Sequence, residues 1–128
     1  MLATGLMSET TVEHFERMIY LPMLLTILDT DAKILIKAPV KFKSPYLAVI
    51  KRAMDNVQKD LSETQLYFRN NKMKLIKEGN DGLFTSFLMV DGSNHYKRNY
   101  MNYRLRNRSE ELLGIYLKGG TVVNATRS

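Results

Sequence analysis

The feature that most constrains this chain is an apolar stripe at helical spacing between Ser44 and Asn71. The stripe steps alternately by four and three residues, through Ile50, Met54, Val57, Leu61, Thr64 and Phe68, and Thr64 is its one polar member. This spacing is typical of one face of a long α-helix, and Ser44 followed by Pro45 supplies a cap residue and a proline at the first helical position. Residues 62–69 alone would also suit a strand, but the unbroken stripe favours helix over the whole stretch.

A second helix is predicted before this one. Thr10 with Glu13 three residues later forms a capping box, which predicts a helix from about Thr11 to Leu28. Pro22 lies inside that helix, so we expect a kink or two abutting helices there. Residues 29–31, Asp-Thr-Asp, predict a turn.

A β-hairpin is predicted in the second half of the chain. Met73–Lys77 and Leu83–Val90 are rich in strand-forming residues, and the loop between them contains Asp-Gly. Leu83–Val90 is apolar on both faces, so we expect a central strand covered by helices. Val40–Phe42 alternates with lysines after Pro39, which makes it a candidate third strand at the edge of the sheet.

The C-terminal region changes composition at His95. Residues 95–108 contain five basic residues and no acid, with tyrosines at the helical spacing of Tyr96, Tyr100 and Tyr103. Tyr103–Arg106 could also be an extended strand. A short terminal helix is predicted from Asn107 to Leu117 and should end at the two glycines that follow.

Together these elements predict an α+β fold with N-terminal helical segments, a long central helix, a β-hairpin and a C-terminal helix. A chain of 128 residues can bury a core as one domain. We expect a flexible extension at residues 1–7, a single domain at 8–118 and a flexible tail at 119–128.

Charge is unevenly distributed along the chain. Residues 1–31 carry one basic residue against five acidic ones, a balance of −4, whereas residues 32–128 carry eighteen against eight, a balance of +10. A basic body suggests an anionic partner, either nucleic acid or an acidic protein. General solubility would also account for this excess.

The sequence argues against an enzyme. It contains no cysteine, which removes thiolate catalysis, disulfides and cysteine-based zinc sites and suits a reducing compartment. Glu13, His14 and Glu16 are adjacent on one helix turn but point in different directions, as expected of a solvated helix start. We therefore predict no catalytic residues, no metal site and no cofactor.

One constellation stands above this background, a basic strip rich in tyrosine and asparagine. Arginine pairs with phosphate, asparagine can read base edges and tyrosine can stack on bases. The candidate nucleic-acid-binding residues are Lys74, Lys97, Arg98, Tyr100, Tyr103, Arg104, Arg106 and Arg108. The alternative is that the tyrosines pack on the core while the arginines are solvated or pair with Glu110, Glu111 and the acidic first helix.

A second hypothesis is an oligomeric interaction or adaptor module, most simply a two-fold homodimer. Its candidate interface residues lie on the apolar segment Met18–Leu28 and on the long stripe: Ile19, Met23, Ile27, Ile50, Met54, Val57 and Leu61. An ordinary monomer core is the open alternative for both. Because Met18–Leu28 is too short to span a bilayer and no secretory signal is evident at the N-terminus, we expect no membrane partner and a cytoplasmic protein.

Overall fold

A computed structural model describes residues 7–122 and places them in three helices and one three-stranded sheet. The helices are α1 (Glu9–Lys37), α2 (Lys43–Asn70) and α3 (Asn102–Leu117). The strands are β1 (Met73–Asn80), β2 (Phe84–Asp91) and β3 (Asn94–Met101), which follow α2 and precede α3. This arrangement confirms the predicted α+β class.

Helix α1 is longer than the sequence predicts. It begins after Ser8, whose Oγ accepts a hydrogen bond from the backbone N–H of Thr11 at 3.1 Å, so the predicted cap at Thr10 is wrong. It continues past Pro22 without being divided into two helices. The predicted turn at residues 29–31 is also wrong, because Asp29 pairs with Lys33 one turn later at 2.9 Å and helical contacts outweigh the weak turn preference.

Helix α2 confirms the long helix, including residues 62–69. It starts at Lys43, with Phe42 at the cap position and no side-chain cap hydrogen bond, so the predicted cap at Ser44 is wrong. The edge strand predicted at Val40–Phe42 is wrong as well. Those residues belong to the short connection between the two helices. Pro39 has no N–H to donate, and the connection is too short to pair with another strand.

The sheet is antiparallel in the order β1-β2-β3, so the predicted hairpin and the central position of β2 are confirmed. The sequence did not predict β3 as a strand. It follows a two-residue turn in which Gly92 has a φ of +64°. The predicted helix start at Asn107 and the alternative strand at Tyr103–Arg106 are both wrong, because α3 begins at Asn102. Thr85 and Met89 of β2 are buried beneath the helices, whereas Ile76 of β1, on the other face, is 44% exposed, so helices cover only one face.

The core forms mainly between α1 and α2. Phe15, Leu24 and Val57 are completely buried, and the rings of Phe15 and Phe68 meet edge to face at 5.2 Å. Dispersion and apolar burial along this contact therefore hold the two long helices together. The stripe of α2 is covered by α1 of the same chain.

The predicted extension and tail lie at the two ends of the chain. Residues 1–6 and 123–128 lie outside the described residues, and with them most of the predicted extension and tail. Val122, inside the predicted tail, is buried. Within residues 7–122, none of the helices is long and apolar enough to cross a membrane.

Candidate anion-binding surface at the junction of β3 and α3

The predicted basic strip is divided between the two faces of the sheet. Arg98 of β3 pairs across the ladder with Phe87, and Tyr100 pairs with Thr85, so both lie on the helix-covered face. Lys97 pairs with Leu88 and therefore lies on the opposite, outer face. Lys97 and Arg98 therefore lie on opposite faces of the sheet, and the strip is not continuous.

Lys74 also belongs to the outer face. It pairs with Val90 on β2, next to the pair formed by Ile76 and Leu88. On the same face, the Nζ of Lys97 lies 3.7 Å from a carboxylate oxygen of Glu78. Both lysines are thus separated from the arginines by the thickness of the sheet.

Three of the predicted arginines meet in one surface pocket of about 540 Å³, at the point where β3 passes directly into α3. Arg98 comes from β3, while Arg104 and Arg108 lie one helical turn apart on the same side of α3. The same pocket is lined by Tyr20 and Glu16 of α1. We call the residues Arg98, Asn99, Tyr103, Arg104, Asn107 and Arg108 the β3–α3 surface.

The three arginines are not equally available to a ligand. The Nη1 of Arg108 lies 3.1 Å from a carboxylate oxygen of Glu111, and the Arg98 guanidinium lies 5.7 Å from the centre of the Tyr100 ring. Within residues 7–122, Arg104 forms no salt bridge. Arg104 is also exposed, so its guanidinium is the one best placed to meet an anion.

Tyr100 supports the surface from below. Its hydroxyl donates a hydrogen bond to a carboxylate oxygen of Glu16 at 3.1 Å, and its ring meets Phe87 edge to face at 5.9 Å. Burial, and then the nearby Glu16 carboxylate, raise the pKa of Tyr100. The ring and hydroxyl are thus both engaged inside the chain, and Tyr100 fixes the position of β3 against α1.

The two remaining residues of the predicted strip, Tyr103 and Arg106, lie outside this pocket. Tyr103, in the first turn of α3, is 56% exposed and directly precedes Arg104 in the sequence, although it does not line the pocket itself. Arg106 instead lines a separate groove of about 550 Å³, together with Met23 and Ile27 of α1. Arg104 and Arg106 differ by two positions and therefore project from different sides of the helix.

Tyr20 and Glu16 were not among the predicted site residues. They reach the pocket only because α1 packs across the sheet, far from β3 in sequence, and no local pattern indicates this. The predicted absence of a metal site remains a prediction; within residues 7–122 no group of three or more histidine or acidic side chains is close enough to hold an ion.

The comparisons with known proteins identify a family. A family model described as YhjD protein matches residues 6–121, which is most of the chain. The chain belongs to the YhjD family. It is similar to the "Uncharacterized protein YhjD" of Bacillus subtilis (strain 168), with 31% identity over 111 residues that cover 87% of this chain and 92% of the relative.

No solved structure matches this YhjD-family chain. The matched region begins before α1 and extends past α3, so it contains every described helix and strand. The β3–α3 surface therefore lies wholly within the part of the chain that defines the family.

Proposed function

We propose that this YhjD-family chain is a small non-enzymatic protein that binds nucleic acid through the phosphate backbone at the β3–α3 surface. The observation that carries the proposal is the convergence of Arg98, Arg104 and Arg108 on one pocket. Guanidinium groups bind phosphate oxygens in a planar, two-pronged geometry, and a set of them can hold consecutive phosphates.

The surroundings of the arginines suit a polymer better than a small anion. Asn99 and Asn107 border the same pocket and can donate to phosphate, sugar or base edges. Tyr103, which precedes Arg104 on α3, is exposed and offers a ring on which an unpaired base can stack. The arginines and asparagines would thus hold the phosphate backbone in position, and Tyr103 would contact one base without selecting its identity.

The carboxylates of Glu16 and Glu111 set a limit on affinity. Both line the pocket, so they oppose a bound phosphate, and Glu111 also pairs with Arg108. A phosphate must displace Glu111 from Arg108. We therefore expect modest affinity that depends strongly on salt, supported by the +10 balance of residues 32–128.

The test is fluorescence anisotropy with labelled single- and double-stranded DNA and RNA over a range of salt concentrations. If about three phosphates are neutralised, log K should fall against log salt with a slope of roughly −2 to −3. The double variant Arg98→Gln with Arg104→Gln should lose about tenfold or more in affinity and flatten the slope. Arg69→Gln with Lys59→Gln removes two exposed charges from α2 and is the matched control.

Two outcomes would contradict the proposal. Binding that is absent at low salt for all four nucleic acids would overturn it. So would an equal loss in the pocket variant and in the α2 control, since that result would assign the affinity to net charge.

Because a chain without cysteine suits a reducing compartment, we expect the protein to act in the cytoplasm.

A second candidate, self-association, is supported by a different observation. Met23 and Ile27 are half-buried and line the groove of about 550 Å³ that also contains Leu75 and Phe87. An apolar side chain of a second copy would fit there. Ile19, Val57 and Leu61, by contrast, are already buried within the chain, and Ile50 and Met54 are half-buried.

The oligomer hypothesis is tested by sedimentation velocity at rising protein concentration. Met23→Gln with Ile27→Gln should shift a dimer towards monomer, while Leu66→Gln, an exposed leucine on α2, should leave the distribution unchanged. A single monomeric species at high concentration would contradict this candidate.

A further inference from the structure

The far end of the α1–α2 pair exposes a cluster of large apolar side chains. We call residues 33–49, which comprise the last turns of α1, the connection and the first turns of α2, the α1–α2 tip. Phe42 is 67% exposed, Ile34 62% and Tyr46 58%. Ile36, Val40 and Val49 are exposed in the same region.

The cluster exists because both helices extend beyond the rest of the fold. The last buried residue of α1 is Leu28, and the first of α2 is Ala53. No residue from 29 to 52 is buried, and Leu117 at the end of α3 lies next to this part of the helix pair. A shallow apolar cavity of about 640 Å³ remains there, lined among others by Leu35, Phe42 and Leu117.

Lysines surround these apolar side chains. Residues 32–46 contain four lysines, at positions 33, 37, 41 and 43, and no acidic residue. Lys33 pairs with Asp29 at the base of the tip, and Lys43 donates to the backbone carbonyl of Ile36 at 2.6 Å. Within residues 7–122, Lys37 and Lys41 form no salt bridge.

We propose that the α1–α2 tip docks on the surface of an anionic lipid bilayer, with its apolar side chains in the interfacial region and its lysines against the headgroups. Exposed aromatic and aliphatic side chains next to lysines are the combination that stabilises interfacial binding. Lysine stems can lie along the apolar layer while their ammonium groups stay at headgroup level. This contact needs no spanning helix, and it is separate from the β3–α3 surface.

Charge distinguishes this partner from a second copy of the chain. A two-fold dimer through the tip would bring Lys37, Lys41 and Lys43 of both copies together, and residues 32–46 contain no acid to compensate them. Nucleic acid would satisfy the lysines, and bases can stack on Phe42 and Tyr46, but the aliphatic side chains of Ile34, Ile36 and Val40 would stay in water. An anionic bilayer satisfies both the charge and the apolar area.

Fluorescence gives a direct test, because the chain contains no tryptophan. Phe42→Trp places a single reporter at the tip. Its emission should shift to shorter wavelength on adding vesicles of phosphatidylglycerol with phosphatidylcholine, and brominated acyl chains should quench it. Leu66→Trp, at an exposed position elsewhere on α2, should show neither effect, and circular dichroism should confirm that both variants are folded.

Vesicle co-sedimentation measures the contributions of the apolar and charged groups. Ile34→Gln with Phe42→Gln should weaken binding to anionic vesicles by about tenfold or more. Lys37→Gln with Lys41→Gln should weaken it by a similar factor, since each lysine near an anionic surface contributes roughly fivefold. Leu66→Gln, which removes a leucine that is 50% exposed elsewhere on α2, should leave binding unchanged.

Four outcomes would overturn the proposal. One is absence of binding to anionic vesicles at low salt. Another is equal binding to pure phosphatidylcholine, or an equal loss in the tip variants and the Leu66 control. In the absence of vesicles, the emission of the Phe42→Trp reporter could also shift to shorter wavelength as the protein concentration rises. If the sedimentation coefficient rose with it, the tip would be assigned to a second copy instead.

Discussion

The hydroxyl of Tyr116 on α3 donates a hydrogen bond to the buried carboxylate of Asp60 on α2 at 2.5 Å. Asp60 is 5% exposed and also accepts a hydrogen bond from the backbone N–H of Val122 at 3.2 Å. Within residues 7–122 it forms no salt bridge. Neutral donors therefore stabilise this carboxylate, and they join the end of α3 and the segment after it to the central helix.

Removing the Tyr116 hydroxyl should destabilise the fold. Tyr116→Phe leaves the packing of the ring intact but deprives a buried carboxylate of one donor, which costs about 1.5–3 kcal/mol. Urea unfolding of Tyr116→Phe, Asp60→Asn and the double variant should show coupling between the two positions. Tyr103→Phe, an exposed matched control, should change the free energy of unfolding by less than about 0.5 kcal/mol. Equal effects at Tyr116 and Tyr103 would contradict the role assigned to this hydrogen bond.

Alkaline pH should destabilise the protein through its buried tyrosines. Burial raises the pKa of Tyr20, Tyr100 and Tyr116 above the ordinary value of 10.0. Below about pH 10 both folded and unfolded chains are protonated, and the stabilising contribution is complete. Above that pH the unfolded chain releases its protons first, so the contribution is lost as pH rises towards the raised folded pKa values.

The measurement is the free energy of unfolding as a function of pH between about 9 and 11. It should fall across this window, and it should fall less steeply in Tyr100→Phe and Tyr116→Phe, which each remove one of the groups concerned. A wild-type curve that is flat over the same window would show that these hydroxyls titrate alike in both states.

Acid should destabilise the protein through His14. Its ring stacks on Tyr67 at 3.7 Å between ring centres, and its Nδ1 lies 3.3 Å from the hydroxyl oxygen of Thr64. Burial, and then the positive charge of Arg17, lower the pKa of His14 below its ordinary value of 6.5. The unfolded chain therefore binds the proton first, so this stabilising contribution is complete above about pH 6.5 and is lost as pH falls through the folded pKa.

This prediction is checked by urea unfolding at about pH 7.5 and about pH 5, together with an NMR titration of the imidazole. His14→Gln should remove part of the acid dependence, whereas His95→Gln, at an exposed position on β3, should retain it. An imidazole that titrates above 6.5 in the folded protein would contradict the assignment.

The secondary structure was predictable where one local signal dominated. The stripe through Val57 and Leu61 fits the helical period and no other, and it defines α2. The Asp-Gly turn defines the β1–β2 hairpin, in which the Asp81 carboxylate accepts hydrogen bonds from the N–H groups of Leu83 and Phe84. Strand β3 was missed because Tyr96 and Tyr100 are four positions apart. That spacing places two residues on one face of a helix and also on one face of a strand, so periodicity could not decide.

The candidate site was predictable only in composition. The sequence identified the arginines but treated them as one strip, because the change from strand to helix at Met101 is not visible in the pattern. That change brings Arg98 and Arg104 together, sends Lys97 to the outer face and turns Arg106 away. The contribution of Tyr20 depends on the packing of α1 and has no local signal.

Pro22 is the position where a substitution should stabilise the protein. A proline inside a helix has no N–H to donate to the carbonyl of the preceding turn, here that of Met18, and its ring crowds that turn. Pro22 is exposed, so Pro22→Ala leaves no cavity, and the hydroxyl of Thr26 can keep its 3.2 Å hydrogen bond to the carbonyl of residue 22. The free energy of unfolding should rise by about 1–3 kcal/mol, once the greater freedom of the unfolded alanine chain is deducted.

Pro45 is the matched control, because it lies in the first turn of α2, where backbone N–H groups have no partner within the helix. Pro45→Ala gains no hydrogen bond and increases the entropy of the unfolded chain, so it should lower the free energy of unfolding by about 0.4–1 kcal/mol. The two proline substitutions should thus have opposite signs in the same urea titration. A loss of stability in Pro22→Ala would show that the proline conformation is needed to fit α1 against α2, with Leu21 and Leu24 on either side of it as the buried contacts that require that shape.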